Sequence, residues 1–203
     1  MIAIVDYGVG NLSSIKNMLK KVGAESIITK DISVIKSARK LILPGIGSFD
    51  YCVSKLNESG CKETLISQVC DSKIPVLGIC VGLQLMGKSS EEGKLQGLGW
   101  IDAACVKFKF PNSDLLKIPH MGWGNVFFRK ESKLLLNMYP DPRFYFVHSY
   151  HLECEDPGDV LLTAHYGYDF ACAIEKENIY GVQFHPEKSH KFGMKLIENF
   201  VRL

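Results

Sequence analysis

The sequence predicts a three-layer α/β protein in which a mostly parallel central sheet lies between helices and carries an antiparallel extension. Three observations point there. In the first half, short and wholly apolar runs alternate with helical patterns, as expected of parallel strands buried on both faces. In the second half, strand patterns follow one another, and Glu175-Lys176-Glu177-Asn178 joins two of them as a hairpin. The 203 residues are 46% apolar and 23% charged, enough to bury a large core without covalent staples.

The elements follow in order. Ile2–Val5 is the first apolar run. Asn11 stands at a cap position before apolar residues Ile15, Met18, Leu19 and Val22, which share one helix face, and Gly23 is the stop. Residues 26–29 and 40–43 are strands. Phe49, Cys52, Val53 and Leu56 mark a helix closed by Gly60, and Leu65 and Val69 mark another ahead of a buried strand at 76–79. Val106, Phe108 and Phe110 alternate with Lys107 and Lys109, as in a half-exposed strand. Residues 144–147, 160–164, 170–174 and 179–184 are further strands. Phe192, Leu196 and Phe200, four apart, mark a closing helix with Ser189 at its N-cap. With no repeat, low-complexity stretch or linker, residues 1–203 read as one domain.

Composition removes several function classes. A net charge of +2 with no basic run argues against a nucleic-acid surface. Seven cysteines, an odd number with no Cys-x-x-Cys pair, argue against a zinc site or a disulfide framework and for a reducing compartment. No run is long enough to span a bilayer, and the first residues lack a signal-peptide pattern. The expectation is a cytoplasmic protein without metal, cofactor, membrane or nucleic-acid partner.

Two distant stretches carry the chemistry. Pro75-Val76-Leu77-Gly78-Ile79-Cys80-Val81-Gly82-Leu83-Gln84 places a cysteine between two glycines, where an apolar strand turns into a helix. Such an elbow exposes the side chain above a sheet and aims a helix N-terminus at it, which favours a thiolate. Tyr180-Gly181-Val182-Gln183-Phe184-His185-Pro186-Glu187 ends a second apolar run on His-x-Glu. On extended chain, residues two apart point the same way, so Glu187 can orient His185. Cys80, His185 and Glu187 then have the three parts of an activated nucleophile. Acyl transfer also needs oxyanion donors; the Val81 amide is one candidate and the Leu43-Pro44-Gly45-Ile46-Gly47 strand end is the other. Both loops belong at the carboxyl edge of a parallel sheet. Cysteine is commonly plain core filling, and the other six are read that way.

Together these motifs resemble the class I, triad-type glutamine amidotransferases, with their flavodoxin-like fold, and within them the glutaminase subunits of imidazole glycerol phosphate synthases. The resemblance runs from Asp6-Tyr7-Gly8-Val9-Gly10-Asn11-Leu12 through Pro44-Gly45-Ile46-Gly47-Ser48-Phe49, the Cys80 elbow, Pro119-His120-Met121-Gly122-Trp123 and Phe146-Val147-His148-Ser149-Tyr150 to Gln183-Phe184-His185-Pro186-Glu187-Lys188-Ser189. It implies that Cys80 attacks the side-chain amide of L-glutamine, that His185 moves the proton and that Glu187 orients His185. Gln84, Ser149, Tyr150 and Gly47 would hold the glutamine. Ile46 and Gly47 would supply an oxyanion amide after a peptide rearrangement triggered by the partner. Asn11, Pro119, Met121, Trp123 and Lys188 would face a separate synthase (cyclase) subunit in a heterodimer, which would receive ammonia and make imidazole glycerol phosphate in histidine biosynthesis. His148 and His151 are expected to be structural.

Some segments depart from that pattern. Gly124 stands between Trp123 and Asn125, where the family commonly has Trp-Asn, and Ser13 stands where a basic residue is frequent. Lys88-Ser89-Ser90-Glu91-Glu92-Gly93 and Lys188-Ser189-His190-Lys191-Phe192-Gly193 are similar to a paralogous branch that supplies ammonia for N-acetyl sugar amidation in surface-polysaccharide assembly. That acceptor stands as an alternative. Of different kind are a γ-glutamyl or thiol hydrolase without a partner and an inactive partner-binding scaffold.

Overall fold

The computed structural model describes residues 1–110 and 116–203. The first apolar run is strand β1 (Ile2–Val5), buried throughout and followed by helix α1 (Leu12–Lys21), which turns Ile15, Met18 and Leu19 inward. Gly23, at φ +76°, ends that turn in a conformation costly for other residues. Then come β2 (Ser26–Thr29), α2 (Ile32–Ser37), β3 (Lys40–Gly45), α3 (Phe49–Glu58), α4 (Lys62–Ile66) and the wholly buried β4 (Val76–Cys80). A single helical turn, α5 (Val81–Gln84), follows Cys80. The second half contains β5 (Ser89–Ser90), β6 (Ala103–Lys107), β7 (His120–Phe128), β8 (Arg143–His148), β9 (Tyr150–Cys154), β10 (Val160–Tyr166), β11 (Tyr168–Lys176) and β12 (Ile179–Val182). Helix α6 (His190–Arg202) closes the chain and buries Phe192, Leu196 and Phe200.

The strands lie in the order β2-β1-β3-β4-β12-β11-β10-β7-β8, with β6 and β9 branching beside β11. The five from β2 to β12 are mutually parallel, and β12 turns back on β11 through the Lys176–Ile179 hairpin pair, where the antiparallel half begins. Crossing from β1 to β2 and from β2 to β3 runs in opposite directions along the sheet, so right-handed connections put α1 and α2 on opposite faces. Helix α6 packs beside α1, and α4 beside α2, completing the outer layers. Because β1, β3, β4 and β12 run the same way, the chain after Val5, Gly45, Cys80 and Val182 emerges at one edge, where sites of this architecture form.

Several local expectations change. Asn11 and Ser189 precede α1 and α6, but neither side chain caps its helix. The Ser189 hydroxyl instead donates to the His185 carbonyl at 2.7 Å and accepts from the Tyr145 amide at 3.0 Å, tying α6 to β8. The lysine-rich strand is β6, ending at Lys107; its inward residues are Ala103 and Cys105, and Phe108 is buried just beyond it. The strand expected at 179–184 stops at Val182, because the chain leaves the ladder to carry His185 across to β8. Helix α2, capped by Asp31 accepting from the Ser33 amide at 2.7 Å, and strands β7 and β9 are additions to the elements read from sequence.

The elbow depends on backbone contact between layers. A Cβ on Gly82 would run into the Leu43 carbonyl of β3 and stand 2.9 Å from its carbon. Gly82→Ala should therefore cost about 3 kcal/mol or more through forced displacement of backbone. Thermal unfolding should show Tm lower by roughly 6–12 °C; an unchanged Tm would mean that the two layers are not in contact there.

Candidate active site

At this edge a cleft of about 360 Å³ opens among the ends of β3, β4 and β12 and the β8–β9 connection. Cys80 lies in it, 5% exposed, with φ +56° and ψ −115°. A non-glycine residue held there stores about 1–3 kcal/mol of strain, tolerated because the neighbouring glycines let β3 and α5 close around it. Helix α5 is only four residues long, so the dipole support expected for the sulfur is that of a single turn.

His185 reaches the sulfur from the other side. Its backbone amide donates to the Tyr145 carbonyl at 2.9 Å, fixing the segment against β8. Its ring Nδ1 lies 2.8 Å from Glu187 Oε1, which leaves Nε2 for the sulfur of Cys80 in the cleft that both residues line. The Glu187 side chain is 3% exposed. It returns to the imidazole through the 3-10 turn Pro186–Lys188, so the pairing comes from that turn and not from strand alternation. Burial by itself lowers the proton affinity of His185. The hydrogen bonds and charges of Cys80 and Glu187 outweigh burial and lift its pKa to about 10. The arrangement therefore favours a protonated imidazole beside the sulfur.

The other residues singled out from sequence divide between cleft and rim. Ile46, Gly47, Val81, Gln84, Ser149, Tyr150, Pro119 and Lys188 all line the cleft. The Ile46 carbonyl accepts from the Cys52 thiol at 3.3 Å, and the Pro44 carbonyl from the Tyr7 hydroxyl at 2.6 Å. Burial raises Cys52 to about 11 and Tyr7 higher still, so both remain protonated donors under the loop. Outside the cleft, Asn11, Met121 and Trp123 are exposed, Met121 by 61% and Trp123 by 45%. Trp123 is braced by the His190 ring stacked at 5.5 Å and by the Arg143 guanidinium 5.8 Å from its ring.

Three features were not read from sequence as site residues. Glu92 brings a carboxylate to the cleft, with Oε2 accepting from the Phe49 amide at 2.8 Å. Gln183, fully buried, donates from Nε2 to Cys80 Sγ at 3.8 Å. Behind Ser149, the buried rings of His148 and His120 meet at 3.1 Å, and His148 Nδ1 donates to the Tyr150 carbonyl at 2.8 Å. His151, also buried, meets the Tyr168 hydroxyl through Nε2 at 2.9 Å. Gln183 stood inside a motif already picked out, while Glu92 carried no local signal. Among the described residues, no cluster of three or more His, Cys, Asp or Glu is arranged to hold a metal ion, and no helix is long and apolar enough to cross a membrane.

Known proteins share both sequence and fold. The family Glutamine amidotransferase class-I matches residues 3–203. The imidazole glycerol phosphate synthase subunit HisH 2 of Methanococcus maripaludis is 55% identical, the alignment covering all of this chain and 99% of that protein. The subunit of the same name from Pseudomonas aeruginosa is 48% identical over the full length of both. A crystal structure of a glutamine amidotransferase has the same fold, with TM-score 0.76 at 17% identity over 99% of this chain and 97% of that one.

The buried histidines make stability pH-dependent. Burial pushes His148 down to about 3 and His120 to about 4, and lowers His151. Against an unfolded value of about 6.5, the unfolded chain binds more protons as pH falls. The stability these rings contribute is complete above about pH 6.5 and drains away toward their folded values, by about 2 kcal/mol for His148 alone at pH 5. Unfolding in urea should show this fall between about pH 7 and pH 5, and His148→Asn should flatten it.

Proposed function

The chain belongs to the class-I glutamine amidotransferase family, and we propose that it is the glutaminase subunit of an imidazole glycerol phosphate synthase, releasing ammonia from L-glutamine for a separate cyclase subunit in histidine biosynthesis. The observation that carries this reading is the buried Cys80–His185–Glu187 constellation facing a cleft, in a chain alike over its whole length to proteins named as such subunits.

The chemistry follows from the positions. Cys80 Sγ attacks the side-chain carbonyl carbon of glutamine, and its proton passes to His185 Nε2. The oxyanion that forms is met by the Val81 amide and by an amide of the Ile46–Gly47 loop once that loop is rearranged. His185 then protonates the departing ammonia, leaving a glutamyl thioester, and activates the water that releases glutamate. Glu187 keeps the imidazole oriented and supports its charge. Gln84, Ser149, Tyr150 and Gly47 hold the substrate, and Glu92 offers an anionic partner to its α-ammonium group. No step calls for a metal or an organic cofactor.

Ammonia is mostly protonated in neutral water and is then no nucleophile, so the acceptor enzyme must dock over the cleft mouth. Pro119 and Lys188 line the cleft, Asn11, Met121 and Trp123 are exposed outside it, and a braced, half-exposed tryptophan suits an interface anchor. Seven free cysteines fit a reducing cytoplasm. Gly124 stands in β7, while the 188–193 segment begins at Lys188 in the cleft and meets the His185 carbonyl through Ser189; these segments keep sugar amidation in view as the other acceptor.

Cys80→Ala should abolish glutamine-dependent synthesis, by about four powers of ten or more, while synthesis from added ammonium salts persists in the complex. Loss of both activities together would count against two separate sites. A glutamine-mimic electrophile should label Cys80; no adduct with the partner present leaves only the scaffold reading. Trp123→Ala should weaken the partner complex by about 2 kcal/mol, measured by calorimetric titration, without loss of fold. Titration against a cyclase and against a sugar amidotransferase identifies the acceptor, the productive partner being the one that raises glutaminase turnover.

A further inference from the structure

We propose that Gln183 is a positioning residue for the nucleophile: its side-chain amide donates to the Cys80 sulfur and thereby directs the thiol proton to His185. The proposal rests on the reading of Cys80 as the attacking group.

The direction of that hydrogen bond is fixed by a chain of buried polar groups. The Tyr150 carbonyl can only accept, and it faces Gln84 Nε2 at 3.3 Å and His148 Nδ1 at 2.8 Å. This sets the Gln84 amide with its nitrogen toward β9. The same nitrogen lies 3.0 Å from Gln183 Oε1. An amide whose oxygen is taken in this way turns its NH2 outward, and here it meets Cys80 Sγ at 3.8 Å, a normal reach for a sulfur acceptor. Gln84 is 3% exposed and Gln183 is fully buried, so a flip at either amide would set like against like with no water to relieve it. The Gln183 backbone amide also donates to the Cys172 carbonyl at 2.9 Å, which holds the residue at the end of β12.

The chemical consequence is one of direction. A sulfur that accepts from Gln183 cannot point its S–H there, and the proton of the Cys80–His185 pair is left on the imidazole side of the sulfur. The proton leaves toward His185, and the charge growing on Sγ faces a donor already in place. Tyr7 and Cys52 beside Cys80 are kept neutral by burial, and Glu92 and Lys188 line the same cleft. A buried amide pair that merely satisfies itself would end on backbone; this one ends on the reacting atom.

Gln183→Met removes the donor at similar volume, and Gln183→Glu replaces it with an acceptor. The test is the rate of Cys80 alkylation by iodoacetamide between about pH 6 and pH 9, located by mass spectrometry, with Tm as the check on folding. Near pH 7 the rate should fall about tenfold in Gln183→Met and further in Gln183→Glu, with both profiles displaced to higher pH by about one unit or more. Folded variants with the parental profile overturn the proposal, since a purely structural role moves Tm alone. In the parent protein, the side-chain amide resonance of Gln183 should shift as Cys80 ionises, and this shift should vanish in Cys80→Ala. A resonance indifferent to pH overturns the proposal even if neither variant folds. Failure of the glutamine mimic to label Cys80 in the parent would instead remove the glutaminase reading and leave this hydrogen bond to be judged on the alkylation profile.

Discussion

The structure turns on how closely β3, β4 and α5 approach at one point. Leu43 and Gly45 of β3 lie against Gly82, and Gly78 of β4 lies beneath the same turn, at distances that no Cβ permits. Three separate segments must be glycine there for three backbones to meet. This contact holds Cys80 in left-handed backbone, and that conformation lifts its side chain out of the sheet and into the cleft. It also places the 44–47 loop beside the sulfur. The nucleophile and the candidate oxyanion loop are therefore positioned by one packing event.

Around that point, burial and charge drive neighbouring histidines in opposite directions. His148 and His120 lie against each other, aromatic rings and a carbonyl, with no carboxylate hydrogen-bonded to either among the described residues, so burial keeps them neutral. His185 is buried as fully, but it stands between a sulfur and a carboxylate and holds its proton far above neutrality. Low polarity strengthens both effects, since it penalises a lone charge and rewards a paired one. His148 in turn feels the positive charge of His185, which further discourages a second proton nearby. His185 thus keeps its proton beside the sulfur, although the imidazoles close behind the cleft give theirs up.

The parallel half of the fold was legible because its strands are apolar on both faces, which leaves a continuous run with few readings. The antiparallel half was less so. In β7, Met121, Trp123, Phe127 and Phe128 point outward, so the apolar residues do not separate a buried side from a solvent side. Helix α2 has six residues, too few to display a period, and is specified mainly by the Asp31 cap. Cys80 and His185 could be found because their residue types have few uses at such turns. The route by which Glu187 reaches His185 was misread, because a 3-10 turn and an extended chain can both bring residues two apart into contact. Gln183 and Glu92 could not be assigned at all: what they do is set by residues about a hundred and about forty positions away, and no local pattern encodes that.

The 44–47 loop is where the site and the outer face meet. Its inner carbonyls are held by two buried, neutral donors, Tyr7 and Cys52, while the Ile46 side chain is 45% exposed. The loop therefore has a fixed back and an accessible front. Under the proposed function, a partner seated near Trp123 and Lys188 presses on the same rim, and any work it does on the loop must break or redirect the Cys52 bond before the Ile46–Gly47 amide can turn toward the sulfur. A thiol is a weak donor, so this bond is easier to exchange than the Tyr7 bond at the base of the loop. Strength graded from Pro44 to Ile46 anchors the loop where it joins β3 and frees it where it faces the substrate. That gradient is what a site needs if it is to stay idle alone and act only in company.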